Sequence, residues 1–151
     1  MKIAVSAYSF GAYANPDRLG VLGLIAKAKE MGFDAIEFTD IVGENLDQQK
    51  EYAKKIREEA DRVGIEINAY TIGACLYQPT PEAEAAEVER LKKKVDIAAI
   101  LGASVLRHDV CYTLTGKGTG RSFDAMLPTI AKNARAVTEY AATKGIRTCT
   151  E

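Results

Sequence analysis

Four segments of this chain repeat one pattern, in which the end of an amphipathic helix is followed by a glycine and then by a short apolar strand. The segments read AKEMGFDAIEF, ADRVGIEINAY, AAILGASVLRH and AATKGIRTCTE, and their glycines are Gly32, Gly64, Gly102 and Gly145. Glycine accepts the left-handed conformation that closes a helix, where a side chain costs about 1 kcal/mol or more. Repetition of helix, glycine and strand is typical of parallel β/α units.

Residues that favour the start of a helix stand before these glycines. Asn15 and Thr80 are each followed by a proline and an acidic residue, and Asn45 with Gln48 resembles a capping box. Together with the apolar spacing, they predict helices α1 to α4 at about residues 16–31, 46–63, 82–101 and 124–144. Strands β1 to β5 are predicted at about residues 2–8, 34–38, 65–71, 104–108 and 146–151.

Two architectures use such units, the open doubly wound sheet and the closed eightfold barrel. The turn after β1 lacks the GxGxxG pattern that a dinucleotide-binding open sheet carries there. Eight units of the observed spacing would need roughly 300 residues, whereas this chain has four units and a fifth strand. We therefore expect an α/β fold of the (β/α) TIM-barrel type, with residues 1–151 forming a single domain that is the N-terminal half of such a barrel.

The charge balance excludes some classes of partner. Twenty basic and 21 acidic residues leave a formal net charge of -1, which gives no support for a nucleic-acid partner. The charge run Glu82–Lys94 is interpreted as a solvated helix face with paired side chains.

No apolar stretch reaches the roughly 18–20 residues of a membrane span, so no membrane partner is expected.

The cysteines bear on the compartment. Three cysteines without a CxxC pair argue against a disulfide framework and favour a reducing cytoplasm, so we expect a cytoplasmic protein. Cys149 is interpreted as a small interior filler rather than a nucleophile, because the chain has no second histidine to activate it.

Active sites of β/α barrels gather at the carboxyl ends of the strands. Glu37 stands between Ile36 and Phe38 near the end of β2, so alternation predicts that its carboxylate points away from the helices into the barrel. A buried carboxylate there is costly unless it is paired with a cation or a metal. Two interpretations stay open for Glu37: a contact to substrate or metal, or a structural salt bridge.

A second candidate group lies at the end of β4. His108, the only histidine, lies between Arg107 and Asp109, a run that offers a cation, an imidazole and an acid. Alternate strand residues point in opposite directions, so the three side chains do not share one face. His108 is either a hydrogen-bonded structural residue or a ligand-binding one. Tyr8, at the end of β1, is interpreted as a pocket wall.

The segments MKIAVSAYSF, MGFDAIEF, GIEINAY, LGASVLRHD and AATKGIRTCTE resemble the xylose isomerase-like barrels, the sugar-phosphate isomerases and epimerases. The resemblance covers the whole chain but only the first half of that fold. It implies a divalent metal (Mn, Mg, Co or Zn) bound through Glu151 and by ligands on later strands, with Glu151 also acting as a catalytic residue in proton transfer. It also implies substrate binding at Glu37 and a substrate-binding or metal-binding role for His108. Arg107 and Tyr8 are further candidates for substrate binding.

Three functions are therefore considered. The first is a metal-dependent isomerase or epimerase that acts on a sugar or sugar phosphate through an enediolate, with glutamates moving the proton. The second is a non-catalytic half-barrel that self-associates through its open sheet edges or pairs with a missing C-terminal half. The third is a metal nuclease that cuts at apurinic sites, against which the single histidine and the net charge of -1 both argue.

Overall fold

A computed structural model of the chain describes residues 1–111 and 122–150. These residues form a parallel five-stranded sheet in which the strands lie side by side in chain order. The strands are β1 (Ala4–Ser6), β2 (Ala35–Thr39), β3 (Glu66–Ile72), β4 (Val105–His108) and β5 (Arg147–Thr150). The helices are α1 (Gly20–Glu30), α2 (Leu46–Val63), α3 (Pro81–Leu101) and α4 (Phe123–Ala142), and a 3-10 helix spans Ala7–Ala14. The predicted alternation of parallel strands and helices is confirmed.

The ends of α2 and α3 show why these segments are helical. The side chain of Asn45 accepts a hydrogen bond from the Gln48 amide at 3.0 Å, and that of Thr80 accepts one from the Ala83 amide at 3.2 Å. Both bonds satisfy amides that a helix start leaves without partners. Gly64, at the other end of α2, has a φ of 71°, the left-handed value predicted for it. The predicted starts and ends of these helices are confirmed.

The prediction for the first unit is wrong at two points. β1 is short and gives way to the 3-10 helix, and α1 begins at Gly20 rather than at residue 16. Asn15 caps a turn instead of a helix: its side chain accepts a bond from the Asp17 amide, and its carbonyl accepts bonds from the amides of Arg18 and Gly20. Gly20 has a φ of 64°, a left-handed value that a continuous helix excludes.

The pairing of β2 with β3 contains a one-residue irregularity. Ile36 lies opposite Ile67, whereas the next residue, Glu37, lies opposite Ala69, so Asn68 is an extra residue in β3. Such bulges re-aim side chains, often beside functional sites. The side-chain oxygen of Asn68 is buried and has no hydrogen-bond partner among the described residues.

The hydrophobic core lies between the sheet and the helices that cover one of its faces. The strands contribute Ile36, Phe38, Ile67, Tyr70, Ile72 and Leu106 to it. The helices contribute, among others, Ile25, Ala53, Ile56, Leu91, Val95 and Val137. None of the described helices combines the length and the apolar character that crossing a membrane requires. The other face of the sheet carries polar side chains, and the candidate site lies there.

Candidate active site

A cleft of about 690 Å³ opens at the carboxyl ends of β1 to β4. It is lined by Ser6, Tyr8, Glu37, Thr39, Asp40, Thr71, Ile72, Gly73 and Arg107. The strands are parallel, so their carboxyl ends meet at one edge of the sheet and bring together residues that are far apart in the chain. The cleft therefore lies at the carboxyl ends of the strands, where the sequence analysis predicts the active site of a β/α barrel.

Glu37 points into this cleft, as alternation along β2 predicts. Its neighbours Ile36 and Phe38 are 0% and 2% exposed on the helix-covered face, while Glu37 lines the cleft on the other face. Within the described part of the chain, the carboxylate of Glu37 has one hydrogen-bond partner, the hydroxyl of Ser6, which donates at 3.1 Å. None of the ion pairs between described residues includes Glu37, so the structural salt bridge considered for it has no support there.

Thr71 is a second polar residue of the cleft with unused hydrogen-bonding capacity. It lies on β3 opposite Arg107 of β4, and its hydroxyl oxygen is buried without a hydrogen-bond partner among the described residues. A buried polar group left in this state costs about 1–3 kcal/mol. A ligand that offers hydroxyl groups would recover that cost.

The predicted divergence of the side chains at the end of β4 is observed. Arg107 lines the cleft, and its guanidinium lies 3.3 Å from the carboxylate of Asp109. His108 is 0% exposed and is not among the residues that line the cleft. Its Nδ1 lies 2.8 Å from the carbonyl oxygen of Asp109, whereas its Nε2 is buried without a hydrogen-bond partner among residues 1–111 and 122–150. Substrate binding by His108 stays a prediction.

Tyr8 lines the cleft from the 3-10 helix rather than from the end of β1, where the sequence analysis placed it. Its side chain is 80% exposed, which suits the wall of an open cleft. Glu151, the predicted metal ligand and proton-transfer residue, lies outside the described residues. Cys149 is exposed on β5, so its interpretation as an interior filler is wrong: β5 lies at the edge of the described sheet.

Lys94 is a residue that the sequence analysis missed, because it assigned the whole run Glu82–Lys94 to a solvated face. Lys94 is 8% exposed, and its ammonium donates to the carboxylate of Asp40 at 2.9 Å and to the hydroxyl of Tyr70 at 3.4 Å. Burial, with a smaller effect of the Asp40 charge, raises the pKa of Tyr70 above its usual range. Lys94 stands three residues after the core residue Leu91, a spacing that marked it as core-facing.

The described residues contain no group of three or more His, Cys, Asp or Glu side chains placed to hold a metal ion. Glu37 and Asp40 are the carboxylates that line the cleft. A metal site would therefore need ligands outside the described residues, and metal binding by Glu151 stays a prediction.

Comparison with solved structures shows the same fold in several sugar-converting enzymes. A D-psicose 3-epimerase from Clostridium cellulolyticum H10 superposes with a TM-score of 0.77 at 16% identity over 99% of this chain and 52% of its own. A 3-keto-D-glucoside 4-epimerase from E. coli gives 0.75 at 16% identity over 99% and 55% of the two chains. A putative sugar phosphate isomerase/epimerase from Anabaena variabilis gives 0.71 at 23% identity over 99% and 53%.

The chain spans about half the length of these solved structures, and at such identities the likeness shows the fold. The prediction of an α/β half-barrel of the TIM type is confirmed. No curated protein matches the chain. A family model described as the xylose isomerase-like TIM barrel matches residues 25–151. Because that model spans most of the sequence and agrees with the order of strands and helices, the chain belongs to the xylose isomerase-like TIM-barrel family.

Proposed function

We propose that this chain is part of an isomerase or epimerase that acts on a sugar or sugar phosphate and depends on a divalent metal. Membership of the xylose isomerase-like family supports this proposal. So do the names of the structural neighbours, which include D-psicose, L-ribulose and 3-keto-D-glucoside epimerases.

The observation that carries the proposal is the unused polar capacity of the cleft. Glu37 has only the Ser6 hydroxyl as a hydrogen-bond partner among the described residues, and the Thr71 hydroxyl has none there. Both groups line one open cleft. A polyhydroxylated ligand offers donors to the carboxylate of Glu37 and donors or acceptors to the hydroxyl of Thr71. Sugars have this chemistry.

The proposed roles follow from position. Glu37 accepts a hydrogen bond from a sugar hydroxyl, Arg107 donates to a carbonyl or phosphate oxygen, and Tyr8 forms a wall against the sugar ring. For His108 the proposal is narrower, because its side chain lies away from the lining of the cleft. Its contact with the Asp109 carbonyl positions the end of β4, which carries Arg107.

The metal, as Mn, Mg, Co or Zn, would supply Lewis-acid stabilisation of the negative charge that develops when a proton leaves the carbon beside a carbonyl. The described residues do not provide a ligand cluster for it, so this part of the proposal rests on Glu151 and on the family resemblance. Glu151 is proposed to remove or return that proton.

The test is an assay of the longest natural polypeptide that contains this sequence, with D-psicose, L-ribulose and sugar phosphates as substrates. We expect conversion that EDTA abolishes and Mn²⁺ restores. Glu37→Gln should lower kcat/KM at least about tenfold by removing a charged hydrogen-bond acceptor. Glu58→Gln, the same change at an exposed position of α2, should leave kcat/KM unaltered.

Glu151→Gln should lower the affinity for Mn²⁺ at least about tenfold, because loss of even a hydrogen-bond partner of a metal ligand costs about that much. Titration calorimetry of the two proteins measures this directly. Unchanged Mn²⁺ affinity would remove the metal role of Glu151, and full activity of Glu37→Gln would remove the substrate role of Glu37.

A second candidate function is self-association of the half-barrel. β1 and β5 each have one hydrogen-bonded neighbour in the described sheet, which leaves strand edges that can pair with another chain. Light scattering of the 151-residue chain tests it: a defined dimer supports pairing, and a stable monomer at high concentration contradicts it.

A further inference from the structure

Two of the three cysteines lie against each other beside the cleft. Cys75 follows β3 and Cys111 follows β4, and their sulfur atoms are 3.6 Å apart. Cys75 is 6% exposed, whereas Cys111 is partly exposed. Cys149, by contrast, is exposed on β5. The residues that follow two neighbouring strands thus bring a buried cysteine and a partly exposed cysteine together.

The main chain holds these two thiols together. The amide of Leu76, next to Cys75, donates to the carbonyl of Val110, next to Cys111, at 2.7 Å. The amide of Cys75 donates to the carboxylate of Glu87 at 3.0 Å. Because the residues beside both cysteines are joined by a short hydrogen bond, the approach of the sulfur atoms is a property of the packed structure.

We propose that Cys75 and Cys111 form a reversible intramolecular disulfide when the protein meets hydrogen peroxide. The sulfur atoms must approach from 3.6 Å to a bond length of about 2.05 Å. This inference does not depend on the proposed function, since it uses neither the sugar nor the metal.

The chemistry runs in two balanced steps. Cys111 loses its proton and its thiolate attacks one oxygen of hydrogen peroxide; the O–O bond breaks, the departing hydroxide takes up that proton as water, and Cys111 becomes a sulfenic acid. Cys75 then loses its proton and its thiolate attacks the sulfur of Cys111; the S–O bond breaks, and the departing hydroxide takes up that proton as a second water. Two thiols lose two protons and two electrons, and the peroxide is reduced to two waters. A dithiol reductant reverses the bond by thiol–disulfide exchange.

The bond would join the residues that follow β3 to those that follow β4. Gly73 and Arg107, which line the cleft, lie close in sequence to Cys75 and Cys111. The cross-link would therefore fix two of the segments that border the cleft relative to each other. By restricting the unfolded chain, it should also raise the Tm by roughly 5–10 °C.

The experiment treats the folded, reduced chain with hydrogen peroxide, blocks remaining thiols with iodoacetamide, and maps tryptic peptides by mass spectrometry. Trypsin cuts after Arg62, Arg90, Arg107, Lys117 and Arg147, so the three cysteines fall on three different peptides. We expect a cross-linked pair of the Cys75 and Cys111 peptides, lighter by two hydrogen atoms than their sum and lost on treatment with dithiothreitol. It should form at least about tenfold faster in the folded chain than in urea, because folding holds the thiols together.

Three variants separate the possible results. Cys149→Ser should leave the cross-link and the rise in Tm intact. Cys111→Ser, a change at a partly exposed position, should abolish both, and it keeps the test open if Cys75→Ser at the buried position does not fold. The proposal is overturned if iodoacetamide still alkylates both cysteines after peroxide treatment, or if Cys111 is oxidised without forming a cross-link. It is also overturned if the cross-link forms no faster in the folded chain than in urea.

Discussion

The two faces of the sheet differ sharply, although the same strands supply both. On the helix-covered face, Ile36, Phe38 and Leu106 are at most 2% exposed and belong to one continuous core. On the other face, Glu37 and Arg107 come from the same strands but line an open cleft. Packing defines the first face, whereas the second carries polar groups that the fold does not need. Substitutions should therefore separate stability from ligand binding according to the face they alter.

The largest effect is expected on the core face. Leu106→Ala removes a side chain that is 0% exposed, so the free energy of unfolding should fall by about 2–5 kcal/mol from lost burial and the cavity left behind. Urea denaturation measures it. Val105→Ala, on the other face of the same strand, should cost less than half as much. Equal costs would contradict the difference between the faces.

The next effect concerns the Lys94 ion pair, which links the helix layer to the cleft. Asp40→Asn leaves the buried ammonium of Lys94 without its charged partner, so stability should fall by about 1–3 kcal/mol. Lys94→Met should change it by less than about 1 kcal/mol, because the side chain of Asp40 is 58% exposed and stays hydrated. Urea denaturation of both variants tests this order, and a larger loss in Lys94→Met would reverse our interpretation.

A smaller effect depends on pH. Burial alone would raise the pKa of Glu87, but hydrogen bonds from Arg90 and from the Cys75 amide outweigh it and hold the pKa below 4.5. A lowered pKa in the folded state stabilises the protein above the unfolded-state pKa, and that stability is lost as pH falls through the folded-state value. Glu87→Gln should cost about 1–2 kcal/mol at neutral pH.

Acidification distinguishes this carboxylate from an exposed one. Between about pH 6 and about pH 3, the unfolding free energy of Glu87→Gln should fall less than that of the unmodified protein. Glu89→Gln, which removes the partner of Lys92 at the surface, should follow the unmodified protein within about 0.5 kcal/mol. Parallel pH profiles for all three proteins would show that ionisation of Glu87 does not contribute to the pH dependence of stability.

The smallest effect on stability is expected in the cleft. Glu37→Gln should change the free energy of unfolding by less than about 0.5 kcal/mol, because the amide oxygen of glutamine still accepts the hydrogen bond from Ser6. Thermal or urea unfolding provides the measurement. A loss above about 1 kcal/mol would make Glu37 a structural residue and would remove the contrast between the faces.

The sequence predicted those parts of the fold that depend on local chemistry. Thr80 and Asn45 cap helices, Gly64 ends one, and Glu37 lies on the open face, because capping, backbone freedom and strand alternation act over a few residues. These signals give the order of elements, and together with the rule that active sites gather at strand ends they give three residues that line the cleft, Tyr8, Glu37 and Arg107.

Other features were beyond such signals. Asn15 carries a helix-start pattern but caps a turn, since Gly20 adopts a left-handed conformation that sequence alone does not impose. Lys94 is buried because Asp40 and Tyr70, distant in the chain, converge on it. The pairing of Cys75 with Cys111 likewise depends on the register of β3 against β4.

The extra residue in β3 has a consequence for how this sequence tolerates changes of length. Ile67 and Ala69 lie opposite Ile36 and Glu37, which are consecutive residues of β2, so without Asn68 the two strands would pair residue by residue. Deletion of Asn68 would therefore remove the irregularity and leave the later residues of β3 on their present faces. Deletion of Thr71 would instead move Ile72 to the face of the sheet that Thr71 now occupies. During evolution, deletion of the codon for residue 68 should be tolerated, whereas deletion of the codon for residue 71 should be eliminated.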